Sequence, residues 1–344
     1  MQNDCYELLE ADLKAIDMLR DFIPAKVFDA HCHLYTLPTI PASANETEIF
    51  TQEMTTLEDY LRHMRPFFPG AEEIRLNLIP MPDPIMREQQ NGTRNTANQH
   101  VLKQLERNPK HVGSVYVLMD DSEQIIGDMV SKPGIAGLKC YCYAANTDDY
   151  NSCTIDEYLP EAAWVVSNQT GIPIILHLMK PKALSDTDNL AYIKAMCKRY
   201  PNANLVLAHC ARGFAAWTVI DAIKEISGFD NVWFDLSAIC ESAPMASCIM
   251  QTAGKRVMWG SDYPMSMYRG RIISINTGFL WLTNEAVIDL RRNGLPVCAV
   301  AAENLLAFRQ ACVLLGLDKT QIDDLFYNNA MSLFFKRKRE CSIY

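Results

Sequence analysis

Eight short apolar runs, most of them followed by a stretch of helical character, constrain this chain more than any other feature. The runs lie at residues 27–34, 74–81, 113–120, 134–144, 172–178, 203–210, 231–238 and 256–264. Such runs are typical of parallel strands that are buried on both faces. Eight β/α units predict an α/β fold, a (β/α)8 barrel that forms one domain over residues 1–344.

Two segments depart from this repeat. Residues 35–70 form a long first connection rich in Pro, Thr and Glu, which either covers the barrel mouth as a lid or is a surface excursion without a role. The residues after Asp262 are expected to be largely helical. Between the strands, helices are predicted at 93–107, 122–131, 155–169, 187–199, 213–227 and 244–253.

Charge and composition argue against several classes of protein. The formal net charge of −9 is unlike that of a nucleic-acid-binding protein, whose binding face is usually basic. The basic cluster at 336–339 is interpreted as a solvated helix end. No apolar run approaches the roughly 20 residues of a membrane span, and the N-terminus does not resemble a signal peptide. Twelve cysteines without a CxxC pair indicate free thiols and predict a cytoplasmic protein.

The segment FDAHCHL at residues 28–34 places two histidines two positions apart on the first predicted strand. Side chains at i and i+2 of a strand point to the same face, so His31 and His33 can reach one metal ion. A polar strand end in solvent is the alternative on this spacing alone.

Further polar residues follow other apolar runs. His177 ends the fifth run, His209 the sixth and Asp262 the eighth, while Lys139 lies within the fourth. In a barrel, the carboxyl ends of the strands build the active site. A single buried histidine is usually a core residue with a hydrogen-bond partner. Four histidines converging on one barrel mouth favour a metal site instead.

These elements resemble the amidohydrolase superfamily, and best its branch known as amidohydrolase family 2. The resemblance spans roughly residues 27–334 and rests on FDAHCHL, GLKCY, IILH, LVLAHC, NVWFDLSA, VMWGSDYP and the late helix IDDLFYNNAMSLF. It implies a metal-dependent enzyme on a (β/α)8 barrel, with a small molecule as substrate. Homo-oligomers are common among such relatives.

The resemblance also implies roles for individual residues. His31, His33, His177 and His209 match metal-ligand positions. Asp262 matches an aspartate that binds metal and holds the attacking water as general base, so Asp262 and His209 are the expected catalytic residues.

Lys139 occupies the position at which binuclear relatives carry a carboxylated lysine that bridges two metals. In relatives with one metal it need not be a ligand, and pairing with a carboxylate or a substrate group is the alternative. Imidazole and carboxylate ligands suit zinc, while manganese or iron also fit. One or two divalent ions are therefore expected.

Three further residues are candidates for substrate binding. Arg212 follows His209 by three positions and could bind an anionic group, or it could cap the next helix. Arg269 lies in the last predicted βα loop and could act in the same way. Tyr141 shares strand parity with Lys139, so it either lines the pocket or packs inside the barrel.

Several functions are compatible with this pattern. The leading hypothesis is a metal-dependent hydrolase that cleaves an ester, lactone or amide of a small anionic molecule. The alternative is a nonoxidative decarboxylase with one metal, in which the strand-six histidine protonates the carbon. A metal-free lactonase and a non-catalytic scaffold fit less well, because every ligand position is filled. The substrate cannot be read from the sequence, since βα loops shape the pocket.

Overall fold

The protein is a (β/α)8 barrel, as the sequence predicts. The computed structural model describes residues 6–36, 54–83, 92–283 and 292–335. Eight parallel strands form one sheet in chain order. They are β1 Lys26–Leu34, β2 Glu73–Pro80, β3 Val112–Tyr116, β4 Ile135–Cys140, β5 Pro173–Leu176, β6 Asn204–Leu207, β7 Val232–Asp235 and β8 Val257–Met258.

The barrel closes between its first and last strands beyond the short ladder of β8. The Ala30 backbone N–H donates to the carbonyl oxygen of Trp259 at 3.1 Å. Further along, the amide of Asp262 donates to the His31 carbonyl at 2.7 Å, and that of His33 to the Tyr263 carbonyl at 2.6 Å. This seam brings Asp262 beside the paired histidines.

Helices surround the sheet. The described α-helices are α1 Glu10–Leu19, α2 Leu57–Met64, α3 Thr93–Arg107, α4 Glu123–Val130, α5 Glu161–Thr170, α6 Thr187–Arg199, α7 Trp217–Ile220, α8 Ser242–Gln251, α9 Val300–Leu314, α10 Lys319–Asp323 and α11 Asn329–Phe334. The predicted bounds of α3 and α6 are confirmed to the residue. None of the described helices combines the length and apolar character that crossing a bilayer requires.

Several predictions about elements differ from the structure. The helix predicted at 155–169 begins only at Glu161, after a 3-10 turn at Ile155–Glu157. The fourth strand ends at Cys140, and a 3-10 turn at Cys142–Ala144 follows it. The helix predicted at 213–227 is broken, because the backbone before it turns in a left-handed conformation and only α7 and a 3-10 turn form.

A further difference lies after Asp262, where a largely helical segment was expected. The helices α9, α10 and α11 confirm this beyond residue 300, but the first part of the segment forms strands. Two antiparallel strands, β9 Gly270–Ile275 and β10 Gly278–Thr283, form a hairpin there. Asn276 takes a positive φ of 52° in its turn, a conformation that asparagine tolerates better than most residues. Residues 37–53, about half of the segment 35–70 to which the lid hypothesis applies, lie outside the described residues, as does the basic cluster at 336–339. The ten described cysteines are free and buried.

Candidate metal centre

The paired histidines of β1 converge with the aspartate that follows β8. The Nε2 atoms of His31 and His33 lie 3.1 Å apart. The Oδ1 atom of Asp262 lies 3.4 Å from Nε2 of His33 and 3.8 Å from Nε2 of His31. All three side chains are buried. The fold therefore brings three predicted ligands together at the carboxyl end of the barrel, within the span of a single ion.

Hydrogen bonds on the other side of each ring decide which nitrogen is free. Nδ1 of His31 lies 2.8 Å from Oδ2 of Asp235, and Nδ1 of His33 lies 3.2 Å from the Pro80 carbonyl oxygen. Both partners accept, so each Nδ1 carries a proton and each Nε2 keeps a lone pair. Two lone pairs this close need a shared positive partner. Nitrogen ligands of a tetrahedral zinc ion are about 3.3 Å apart, so the spacing fits a divalent ion.

Lys139 lies at the same point. Its Nζ atom is 3.1 Å from Nε2 of His31, and the side chain is 1% exposed. Burial lowers the pKa of Lys139 to about 8, although the charges of Asp235 and Asp262 act in the opposite direction. The ammonium group is thus the positive partner of the imidazole here, at the position that a ligand or a bridging group would occupy.

His209 is oriented by a serine and the same buried aspartate. Its Nδ1 atom lies 2.8 Å from Oγ of Ser237 and 3.1 Å from the Ser237 carbonyl oxygen. The Ser237 hydroxyl donates to Oδ1 of Asp235, so it accepts from the imidazole. The proton of His209 is therefore held on Nδ1, and Nε2 is left free. The ring centroids of His209 and His31 are 4.9 Å apart.

His177 completes the histidine group. Its ring centroid lies 5.0 Å from that of His209 and 4.5 Å from that of Tyr141. Its Nδ1 atom is buried, and among the described residues it has no hydrogen-bond partner. A buried polar atom without a partner is rare in proteins and marks a position where a ligand is expected. Tyr141 therefore lies at the site, as one of its two predicted placements requires.

Burial keeps the imidazoles neutral. It lowers the pKa of His33 to about 3 and that of His209 to about 4, and it places the pKa of His177 well below the usual value. The positive charge of Lys139 lowers all three pKa values further. Metal ions bind unprotonated imidazole, so these side chains are in the state that a ligand set needs.

Asp235 and Ser237 are candidate functional residues that the sequence analysis did not identify. Burial would raise the pKa of Asp235, but the charge and hydrogen bond of His31 hold it well below its usual range. Its carboxylate also accepts from the backbone amides of His209 and Ser237 at 3.0 and 3.1 Å. A charged residue inside the apolar run NVWFDLSA was the signal that could have indicated it. Because Asp235 bonds Nδ1 of His31, it orients this candidate ligand. Together with His31 and His209, its carboxylate also forms a second group with the spacing of a metal site.

Asp29 is a second buried carboxylate that the sequence analysis left without a role. Its Oδ1 atom accepts from the amides of His31 and Ser261 at 3.0 and 2.9 Å, and its Oδ2 accepts from the Tyr60 hydroxyl at 2.7 Å. Burial raises the pKa of Asp29 to about 6. The side chain thus joins β1 to the segment that carries Asp262.

The structure places only one of the two arginines predicted to bind substrate near the site. Arg212 lies near the histidines, and its charge opposes protonation of His177. Arg269 does not reach the site. Its guanidinium bonds Oδ2 of Asp12 at 2.5 Å and the Glu7 carbonyl oxygen, and it stacks over Tyr6. The prediction for Arg269 is therefore wrong, because the N-terminal segment already satisfies this side chain.

Comparison with protein families gives one match. A family model described as Amidohydrolase matches residues 28–336, which include every ligand candidate described above. None of the curated proteins searched matches the sequence.

Solved structures share the fold at low sequence identity. A 2,6-dihydroxybenzoate decarboxylase in complex with 2,6-dihydroxybenzoate has a TM-score of 0.61 and 11% identity, covering 90% of this chain and 99% of its own. A 5-carboxyvanillate decarboxylase from Novosphingobium aromaticivorans, complexed with manganese and a nitrobenzoic acid, has a TM-score of 0.58 and 13% identity over 90% and 95%. A candidate 2-pyrone-4,6-dicarboxylic acid hydrolase from Pseudomonas putida has a TM-score of 0.55 and 16% identity over 91% and 98%.

Proposed function

This chain belongs to the amidohydrolase family, and we propose that it releases CO2 from a small carboxylic acid with the help of one divalent metal ion. The single observation that carries the choice is the shape of the site, in which two imidazoles and a carboxylate surround one ion-sized gap and two further imidazoles lie beside them. The resemblance to two decarboxylases, one of them bound to manganese, supports the same choice.

His31, His33 and Asp262 would hold the ion, with the unpartnered His177 beside them. When bound, a divalent ion supplies positive charge that holds a carboxylate and stabilises negative charge developing on the substrate. Asp235 holds the His31 proton on Nδ1, so the lone pair on Nε2 would be available to the ion. Manganese is a suitable first metal to test, and zinc and iron fit the same donors.

His209 carries the proton in this proposal. Loss of CO2 leaves an electron pair on carbon, so RCOO⁻ and one proton give RH and CO2 without an oxidant. The free Nε2 of His209 takes up a proton from solvent or substrate and delivers it to that carbon. An imidazole whose pKa is lowered to about 4 is a strong donor once protonated. Ser237 holds the ring for this transfer.

Hydrolysis of an ester, lactone or amide is the second candidate. It is favoured by the position of the Asp262 carboxylate, 3.4 Å from Nε2 of His33, where it could act as general base on a water molecule. The lowered pKa of Lys139 is compatible with a carboxylated, bridging lysine. The fold shared with a candidate hydrolase supports this reading as well.

The deciding experiment separates the two products. Manganese-loaded protein is incubated with 2,6-dihydroxybenzoate, 5-carboxyvanillate and simple benzoates, and CO2 release is measured beside acid release from aryl esters and lactones. We expect CO2 release that falls about 100-fold or more in His209→Gln and Asp262→Asn. The control is His100→Gln, since His100 bonds the Thr55 carbonyl away from the site. Hydrolysis without CO2 release would establish the second candidate instead.

A further inference from the structure

A β-bulge in β1 lies directly before the end of the strand that carries the paired histidines. Between Asp29 and Cys32, two residues of β1 oppose the single residue Asn77 of β2. One extra residue in a strand reverses the alternation of side chains for everything that follows it. Bulges are frequent beside active sites, where they redirect a side chain. The bulge therefore decides which face of the sheet His31 and His33 occupy.

Without the bulge, the two histidines would point away from the barrel lumen. Before it, Phe28 and Ala30 face the lumen, since they pack with apolar side chains from five other strands, namely Ile79, Val112, Ile175, Val206 and Met258. Strict alternation would place Cys32 in the lumen next and turn His31 and His33 toward the helices. Instead, Cys32 belongs to the separate apolar core between the strands and the helices, and the histidines reach the metal centre.

Side chains, and not the strand ladder, satisfy two backbone groups of the bulge. The His31 amide donates to Oδ1 of Asp29 at 3.0 Å, and the Ala30 carbonyl accepts from Nδ2 of Asn77 at 3.1 Å. The Ala30 amide and the His31 carbonyl form the seam to the end of the last strand, at 3.1 and 2.7 Å. Asp29 and Asn77 therefore fix the backbone from which the His31 imidazole extends.

Asn77 is held in turn by a serine of β3. Its Oδ1 atom accepts from the Ser114 hydroxyl at 3.0 Å. Gly137 of β4 makes room for this serine, because a Cβ atom at that position would collide with Ser114 Oγ. Asn77 and Ser114 are both fully buried, and a buried polar group costs free energy unless it is paired. A chain of hydrogen bonds thus runs from β3 through β2 to the bulge of β1.

We propose that Asn77 is a positioning residue, which together with Ser114 holds the β1 bulge and so directs His31 and His33 at the metal ion. Asn77 acts through the Ala30 carbonyl and does not touch the ion. Loss of its amide leaves this carbonyl without its partner and lets β1 relax toward regular pairing, which turns the imidazoles out of the site. The inference rests on the ligand set of the proposed function, but not on the reaction.

Manganese affinity and the electron paramagnetic resonance spectrum of the bound ion test this role. Asn77→Leu keeps the size of the side chain but removes both hydrogen bonds, so we expect calorimetry to show about tenfold or more weaker binding and the spectrum to change. Ser114→Ala leaves the Asn77 amide in place and should weaken binding about three- to tenfold. The matched control is Asn231→Leu, because Asn231 is buried and its amide donates to the Cys197 and Tyr200 carbonyls at the opposite end of the barrel.

The outcomes separate positioning from a role in the fold alone. A lower free energy of unfolding in Asn77→Leu with unchanged manganese affinity and an unchanged spectrum would overturn the proposal. If this variant does not fold, Ser114→Ala carries the test, and wild-type affinity in Ser114→Ala would overturn it.

A crystal structure of the metal-free variant tests the bulge independently of any ion. We expect the register between β1 and β2 to change and the His31 imidazole to move in Asn77→Leu, or in Ser114→Ala where only that variant folds. A retained bulge with His31 in place would overturn the proposal. If the wild type binds no manganese, the ligand set of the proposed function fails, and this metal-free comparison still decides whether Asn77 holds the bulge.

Discussion

Oδ2 of Asp235 lies 2.8 Å from Nδ1 of His31, although 204 positions separate the two residues. The contact joins β7 to β1 across the barrel lumen and sets the tautomer of a candidate metal ligand. Through its other oxygen, the same carboxylate accepts from the His209 amide and the Ser237 hydroxyl. One buried charge thus orients both a ligand and the proposed proton carrier.

Asp235→Asn should weaken metal binding by roughly 10- to 100-fold. An amide offers one accepting oxygen, so either His31 or the donors around His209 and Ser237 must face an NH2 group. Titration with manganese, followed by calorimetry, measures the loss. Asp230→Asn is the control, because Asp230 is fully exposed and forms only a surface ion pair with Arg256. Unchanged affinity in Asp235→Asn would show that the carboxylate does not position His31.

Gly260→Ala should disturb the same site by steric means. A Cβ atom at this position would lie 2.9 Å from Cβ of His31 and 3.2 Å from Cβ of Ser237. These neighbours are fixed by the barrel, so we expect a loss of about 1 to 3 kcal/mol in the free energy of unfolding, together with weaker metal binding. Denaturant unfolding measures the first effect. Gly228→Ala is the control, since nothing lies within 4 Å of its added Cβ; equal behaviour of the two variants would contradict the packing argument.

Metal content distinguishes the two roles of Lys139. The proposed function uses a single divalent ion, and Lys139 would act beside it as a cation 3.1 Å from Nε2 of His31, so we expect one ion per chain in both the wild type and Lys139→Met. Elemental analysis of protein purified without chelators gives the count, with His31→Ala as the variant that should lose metal. Two ions in the wild type and fewer in Lys139→Met would indicate a carboxylated bridging lysine, and the hydrolase would become the leading candidate.

His111, which lies away from the metal centre, should make the free energy of unfolding fall at acidic pH. Its Nδ1 accepts from the Leu76 amide at 3.1 Å, and burial, with the charges of Lys110 and Arg75, lowers its pKa to about 4. Because the unfolded chain binds this proton near pH 6.5, His111 destabilises the folded state progressively as the pH falls from about 6.5 to about 4.

His111→Asn keeps an accepting oxygen for Leu76 but does not titrate. Between pH 7 and pH 4.5, the variant should lose roughly 2 to 3 kcal/mol less unfolding free energy than the wild type. Urea unfolding of metal-free protein at both pH values makes the comparison. If the unfolding free energy depended on pH in the same way in both proteins, His111 would be protonated as easily in the folded state as in the unfolded chain, and the prediction would be wrong.

The local pattern of apolar and polar residues in the sequence was enough to predict the barrel and most of the candidate ligands. Period-two alternation places His31 and His33 on one face, and parallel strands in a barrel bring their carboxyl ends together. His177, His209 and Asp262 could therefore be assigned to one site without knowledge of any contact. The bounds of α3 and α6 followed equally from helical periodicity and short connections.

Tertiary structure alone decided how those ligands are held and what surrounds them. The Asp235–His31 contact spans 204 positions, and the Arg269–Asp12 contact that removes Arg269 from the site spans 257. No local periodicity encodes which of many polar groups will meet across such distances. The left-handed turn at His209 and the hairpin above it depend on the same long-range packing. The sequence by itself thus determined which side chains reach the barrel mouth, and the folded barrel decided their tautomers and partners, because those depend on neighbours from distant strands.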